Sequence, residues 1–256
     1  GEWVYFHENG KKSRVSTFKN DEIVGTSVEF YENGNKSFEG TYVNGELNGP
    51  INVYKETGAL QRRLIYRDKA AQDSIIFYYP NGQISSVVPI SKGITKGEAH
   101  YFHENGAKAS VINFDEDQRN GQSIFYHPNG QLKSKPNYVE NYFDGPYMSY
   151  HPNGAVKDSG AYTEGTKTGA WKTYNPYGVL VSVENYDEKG KFSGTRISYD
   201  NSGRKKSVFE YSKGDIKAYK LFDLNGKVIS TAEKKWGKFK FEDLNIYGVK
   251  IGEGFY

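Results

Sequence analysis

Four of the five histidines, His7, His103, His127 and His151, occupy one column, each three residues before a glycine in stretches such as Tyr126-His127-Pro128-Asn129-Gly130. A row of imidazoles suggests zinc, which neutral ring nitrogens bind at about 2.0–2.1 Å. Ligands that share one ion hold their nitrogens within about 3.5 Å of each other. On hairpins laid side by side, neighbours in this column stand two strands apart, about 10 Å. Other copies carry Tyr31, Lys55, Tyr79, Asn175, Asp200 and Asp223 there, so the expectation is a solvated position beside a turn, not a ligand set. His100 falls on a strand with no carboxylate spaced to pair with it. The acidic stretches Asp115-Glu116-Asp117-Gln118 and Phe241-Glu242-Asp243 lack the Asp-x-Asp-x-Asp-Gly loop with a distal Glu that holds calcium, and read as solvated loops. There is no Gly-x-Ser-x-Gly elbow, phosphate loop or His-Glu-x-x-His. Cysteine is absent, which removes thiolate chemistry. The residues therefore predict a protein that is not an enzyme and has no catalytic residue, metal site or cofactor.

The elements that would carry such residues repeat. The pentapeptide Tyr-His-Pro-Asn-Gly stands at 126–130 and again at 150–154. Pro presets φ near −65°, Asn tolerates left-handed geometry and Gly accepts positive φ, so the stretch reverses the chain. The residues around it alternate, which predicts a β-hairpin with a type I turn closed by a glycine bulge. Stepping the turn glycine by 24 gives Gly10, Gly34, Gly58, Gly82, Gly106, Gly130, Gly154 and Gly178; Gly203 and Gly226 follow with slips of one residue. Four residues before each stands Phe or Tyr, from Phe6 to Phe222. Eight after lies a second ring column, Phe18 through Tyr211, broken only by Ile90. Nine before lies a glycine column, Gly1 through Gly194, broken only by Asp73. Each unit thus reads as two strands joined by a turn and followed by a loop of about six residues, and such a unit must bury its apolar face against its neighbours. The fold class expected is all-β: an elongated single-layer antiparallel β-meander or solenoid of about ten 24-residue β-hairpin repeats over residues 1–226. Residues 227–256 are expected to form a degenerate C-terminal β cap.

Composition agrees. Only 36% of the residues are hydrophobic while 16% are aromatic, with 22 Tyr and 15 Phe, so stacked ring columns must supply much of the buried area. The charge sum, 34 − 31 = +3, comes from interspersed residues and argues against a nucleic-acid surface. No apolar run is long enough to span a membrane. Gly1 coincides with a column position, which suggests a processed start with a targeting segment or lipid anchor upstream. Two departures stand out within the array. Ala70, Ala71 and Asp73 replace the loop residues of one unit, suggesting a kink or a differently built loop. Pro89 would break a ladder bond unless it faces an edge.

With these residues laid out, "FYENGNKSFEGTYVNGELNG" (30–49) and "SYHPNGAVKDSGAYTEGTKTG" (149–169) resemble the variant MORN repeat of bacterial proteins, over roughly residues 1–226. The resemblance implies a scaffold for protein contacts, with lipid binding in some members, and carries no catalytic residue. Chains of this kind are often labelled YwqK-type antitoxins, and others are exported or lipid-anchored. Gram-positive cell-wall-binding repeats also pair rings with turn glycines, but their unit is shorter and rich in Trp, whereas this chain has only Trp3, Trp171 and Trp236.

The function expected is a non-enzymatic repeat scaffold for protein–protein interaction, as a subunit of a larger assembly, with fixed columns building the fold and variable residues meeting partners. The alternatives are a carbohydrate or cell-wall module using rings such as Tyr126, Tyr150 and Tyr174, and an antitoxin that neutralises a partner. Family habit favours a periplasmic, outer-membrane or cell-surface setting, with the cytoplasm as the alternative. The contact residues expected are the turn column, His103, His127 and His151, and the C-terminal Trp236, Phe239 and Phe241. A glycan is the alternative ligand.

Overall fold

The computed structural model describes residues 1–235, 237–244 and 249–255, with Lys235, Phe239, Phe241 and Phe255 described by their backbone alone. Every described element is a β-strand and every pairing between strands is antiparallel. Contacts divide the chain into two units, Gly1–Gly130 and Gln131–Tyr256. Within each unit the strands follow one another as a β-meander.

The turns have the chemistry that the pentapeptide predicts. In the first, the Gly10 N–H donates to the His7 carbonyl at 3.0 Å and the His7 N–H to the Lys11 carbonyl at 2.8 Å. Gly10 has a φ of 81°, and the register shifts between Tyr5 and Phe6. This is a type I turn closed by a glycine bulge, and the pattern returns at Gly34, Gly58, Gly82, Gly106, Gly154 and Gly178.

The expected six-residue loop is instead a second tight hairpin. Lys12–Lys19 and Glu22–Phe30 are joined by Asn20 and Asp21 alone, both at positive φ (51° and 64°). Two successive positive φ values define a type I′ turn, whose twist matches that of the flanking strands. Asn44-Gly45, Asp68-Lys69, Lys92-Gly93, Glu116-Asp117, Glu140-Asn141, Glu164-Gly165 and Lys213-Gly214 do the same. The array is therefore hairpins throughout.

The glycine nine before each turn glycine sits in a bulge. Val15 pairs with Val28 but Thr17 with Val24, so Ser16 faces the three residues Gly25, Thr26 and Ser27. Gly25, Gly49, Gly97 and Gly169 all hold positive φ there. Asp73 holds the same conformation, φ 64°, and Arg63 and Ile65 pair with Ile76 and Gln72 across the same kind of bulge. The anomalous unit is thus neither kinked nor differently built. Its Asp takes the left-handed conformation, at a cost that a short polar side chain keeps low. Asp73→Gly is expected to raise the unfolding free energy measured in urea, by about 1 kcal/mol less any share from the exposed Arg67 ion pair at 2.9 Å.

The slips have local causes. Between Gly178 and Gly203 the two-residue turn is replaced by Asp187–Gly190, closed by bonds from Asp187 N–H to Lys191 and from Gly190 N–H to Asp187. Before Gly226 the bulge loses one residue: Glu210 pairs with Ala218 and Tyr211 with Ile216, leaving only Lys217 between. Pro89 lies within Ile84–Ser91, opposite Ser74, and accepts from the Lys96 N–H at 3.4 Å. At Pro136 the ladder is interrupted, between Leu132–Ser134 and Asn137–Val139. The C-terminal strands Val228–Lys235, Lys238–Leu244 and Lys250–Phe255 continue the antiparallel pairing.

The buried side chains lie mainly on one face, at positions four, six and eight after the turn glycine and their cross-strand partners. Size is traded between those partners. Trp3 faces Ser16, Ser27 faces Gly40, Tyr147 faces Gly160, and Tyr219 faces Ala232. In the second unit the rings Tyr138, Phe143, Tyr162, Tyr147 and Trp171 touch in series, with centroids 4.7 to 5.6 Å apart. Trp171 is 3% exposed and its Nε1–H donates to the Ala161 carbonyl at 3.1 Å.

Candidate functional site

The histidine column is built into the fold. His7 Nε2 lies 2.9 Å from the carbonyl of Phe30, His103 Nε2 3.3 Å from that of Tyr126, and His151 Nε2 2.8 Å from that of Tyr174. A carbonyl can only accept, so each ring must carry its proton on Nε2. Where the column holds Tyr the bond is the same: Tyr31 Oη donates to the Tyr54 carbonyl at 2.8 Å and Tyr79 Oη to that of Phe102 at 2.7 Å. These side chains are half-buried, as is His127, which corrects the expectation of a solvated position. His7, Tyr31, Tyr79, His103 and His151 are each a rung from one hairpin to the next. Tyr should therefore replace His151 at no cost, whereas Phe would leave the Tyr174 carbonyl unpaired and lose about 1 kcal/mol. Urea unfolding of His151→Tyr and His151→Phe measures the difference.

The turn asparagine forms a second rung. Asn9, Asn33, Asn81, Asn105 and Asn153 accept from the backbone N–H two residues on, and donate from Nδ2 to the carbonyls of Glu32, Glu56, Glu104, Pro128 and Pro176. One side chain thus closes its own turn and holds the next. Where Asp or Asn occupies the first turn position, the capping moves there. Asp200 Oδ1 accepts from Ser202 and Arg204, and Asp223 Oδ1 from Asn225 and Lys227, at 2.8 to 2.9 Å. A carboxylate cannot donate a rung, so it caps its own turn, and Asp200 Oδ2 also accepts from Arg204 Nε at 2.7 Å.

Among the described residues the rungs are missing between two successive pairs of turns. Lys55 and Thr57 make none toward Tyr79–Gly82, and Asp200 and Ser202 make none toward Asp223–Gly226. At the second gap lies a groove of about 690 Å³ with Phe209, Leu221, Phe222 and Ile229 in its lining.

The remaining site candidates resolve locally. His100 lies 3.2 Å from Glu98, a partner two residues away on its own strand that spacing alone did not bring out. Glu116 and Asp117 form a type I′ turn, in which Asp117 Oδ1 accepts from the Thr95 N–H at 2.7 Å. Glu242 and Asp243 lie in a strand, not a loop, where Glu242 pairs with Lys240 and Lys250 and Asp243 accepts from Ser230. Of the C-terminal candidates, Trp236 lies outside the described residues. Phe239 and Phe241 are placed by backbone alone, opposite Lys234 and Ala232. Tyr126, Tyr150 and Tyr174, the rings of the glycan alternative, are half-buried.

The charges favour a window of pH. Backbone N–H bonds, Arg204's first, hold Asp200 below the ordinary 3.8, and the Thr95 N–H does the same for Asp117. Lysine hydrogen bonds lower Glu242 and Glu253 from 4.5. Stability from these depressed carboxyls is present above the ordinary range and lost as pH falls through and below it. Burial raises Tyr101, Tyr162 and Tyr186 above the ordinary 10, Tyr186 also through its bond to Glu184. Their contribution is intact below pH 10 and lost as pH rises beyond it. The urea midpoint is expected to be level between about pH 5 and pH 9 and to fall on both sides. A midpoint that declined steadily across that range would contradict this account.

Such a geometry defines a class of protein: a β-hairpin repeat array in which His, Tyr and Asn side chains of the turns tie one hairpin to the next. Three stretches of the chain are similar to the MORN repeat variant. The family model described as MORN repeat variant matches residues 1–20, 23–44 and 119–140. No curated protein matches the chain. Among solved structures the chain is similar to a TcdB2-TccC3 crystal structure without the hypervariable C-terminal region, at 11% identity and a TM-score of 0.21, covering 93% of this chain and 16% of that one. A second, TcdB2-TccC3-TEV, gives 10% identity and a TM-score of 0.22, covering 96% and 16%. A mutant Photorhabdus luminescens Tc holotoxin pore gives 12% identity and a TM-score of 0.16, covering 93% and 14%. The chain thus spans about a sixth or less of those chains, and at such scores nothing about those assemblies transfers to it.

Proposed function

We propose that this chain is a non-enzymatic repeat scaffold that mediates protein–protein interaction as a subunit of a larger assembly, with the cell envelope as the setting implied by its resemblance. The observation that carries this reading is the use made of its reactive side chains. His7, His103 and His151 are held to backbone carbonyls, and the turn asparagines are consumed in capping and rungs. These side chains bind the backbone of the next hairpin and so serve the array itself. Between the fixed turn and ring columns the residues vary from copy to copy, which is how repeat proteins keep recognition apart from folding.

The test is affinity purification of the tagged full chain from its native cells after gentle membrane solubilisation, with mass spectrometry of what it retains. Recovery of a defined set of proteins at fixed stoichiometry is the expected result. Recovery of the chain alone overturns the reading, and binding of purified cell-wall glycan in its place would establish the carbohydrate alternative.

A further inference from the structure

The groove between the turns Asp200–Gly203 and Asp223–Gly226 is where the repeat pattern lapses in three ways at once. Asp200 stands where six other copies have His or Tyr, and Ser202 where seven have Asn, so neither donor of a rung is present. The spacing to the next turn is one residue short, absorbed in the bulge at Lys217. With no bond tying the two turns, the space between them is a groove of about 690 Å³, within the size range of ligand sites.

Its lining is chemically divided. Phe209, Leu221, Phe222 and Ile229 supply apolar surface, and Leu224, 70% exposed, stands at its side. Arg204 is bound to Asp200, Nε to Oδ2 at 2.7 Å. Lys205 and Lys206 have no carboxylate partner among the described residues, and the Lys205 Nζ lies 5.6 Å from the centroid of the Phe222 ring. Asp223 is occupied in capping its own turn. Apolar surface beside two unneutralised cations calls for an apolar group flanked by anions.

We infer that this groove is a docking site for an acidic peptide segment of a partner protein, one that places a bulky apolar side chain against Phe209 and Phe222 and carboxylates beside Lys205 and Lys206. Two separate cations favour a peptide, which carries several carboxylates around its apolar residues, over a fatty acid with a single headgroup. This assignment rests on the scaffold reading and gives it a partner chemistry. It also explains why the rung-forming residues are replaced here: a His and an Asn would tie the turns together across the opening.

The test uses fluorescence anisotropy of a fluorescein-labelled octapeptide, Gly-Ser-Asp-Glu-Phe-Leu-Glu-Asp, titrated with the full chain. Control peptides carry Asn and Gln for the acids, or Ser-Ser for Phe-Leu. Saturable binding is expected, weakened more than about tenfold by Lys205→Glu with Lys206→Glu and by either control peptide. Asp200→His with Ser202→Asn, which restores the rung donors, is expected to abolish binding while the thermal midpoint holds or rises. Absence of saturable binding, or binding unaffected by both double variants, overturns the assignment. So does dodecanoate binding in the groove where the peptide does not. If the rung-restored variant recovers the same cellular partners as the wild type, the groove assignment fails and the scaffold reading stands. If the peptide binds but the chain recovers no partner from cells, the scaffold reading fails and the groove remains.

Discussion

Trp171→Ala is expected to lower the stability of the unit Gln131–Tyr256 by about 3–5 kcal/mol. The indole is 3% exposed, meets Tyr147 at 5.6 Å and Tyr162 at 4.9 Å between centroids, and donates to the Ala161 carbonyl. Lys167 Nζ lies 4.2 Å from its centroid, so truncation removes a cation–π partner as well as packing. Urea unfolding followed by circular dichroism measures the loss; a shift of less than about 1 kcal/mol would show that the ring series contributes little.

The second large effect comes from adding atoms. A Cβ on Gly160 would lie 2.3 Å from Cδ2 and Cε2 of Trp171. The neighbour is a rigid ring, itself buried, and has nowhere to go. Gly160→Ala is therefore expected to cost at least about 1–3 kcal/mol, the range for an overpacked core. Because the clash and the ring are one contact, the double variant with Trp171→Leu should be less destabilised than the sum of the two single changes. Additive losses in that cycle would contradict the size pairing. Gly40 makes a similar approach to the Phe38 ring, at 2.6 Å from Cζ.

These pairs mark the limit of what sequence could disclose. Pro and Asn before Gly130 and Gly154 dictate their turn chemically, so the first hairpin of every unit was legible, as was the ring column. The second hairpin was not, because Asn20-Asp21, Asp68-Lys69, Lys92-Gly93 and Glu116-Asp117 share a left-handed backbone but no residue type. Gly160 and Trp171 were equally opaque: what is shared between units is the summed volume of facing side chains, which no single column shows. At the site, the histidine column was visible while its purpose was not. His, Tyr and Asn look unrelated as chemistry until an N–H or O–H is seen reaching a carbonyl 23 residues on, as from His7 to Phe30 and from Tyr31 to Tyr54. The substitutions at Asp200 and Ser202 were legible as letters, and their consequence became legible only once the rungs were known.

Every such rung runs one way, with the side chain of the earlier hairpin donating and the backbone of the later one accepting. The acceptor is a carbonyl, which every residue type supplies, so the later repeat needs no matching side chain. Deleting or duplicating a whole repeat within a unit would present the same donors to an equivalent carbonyl, whereas removing half a repeat would bring like strand against like and leave the donors facing nothing suited to them. Length in such a protein is a quantity that can change by whole repeats without redesign, and the groove at Asp200 is the kind of variation that this tolerance permits: a single repeat freed from holding its neighbour and left available for something else.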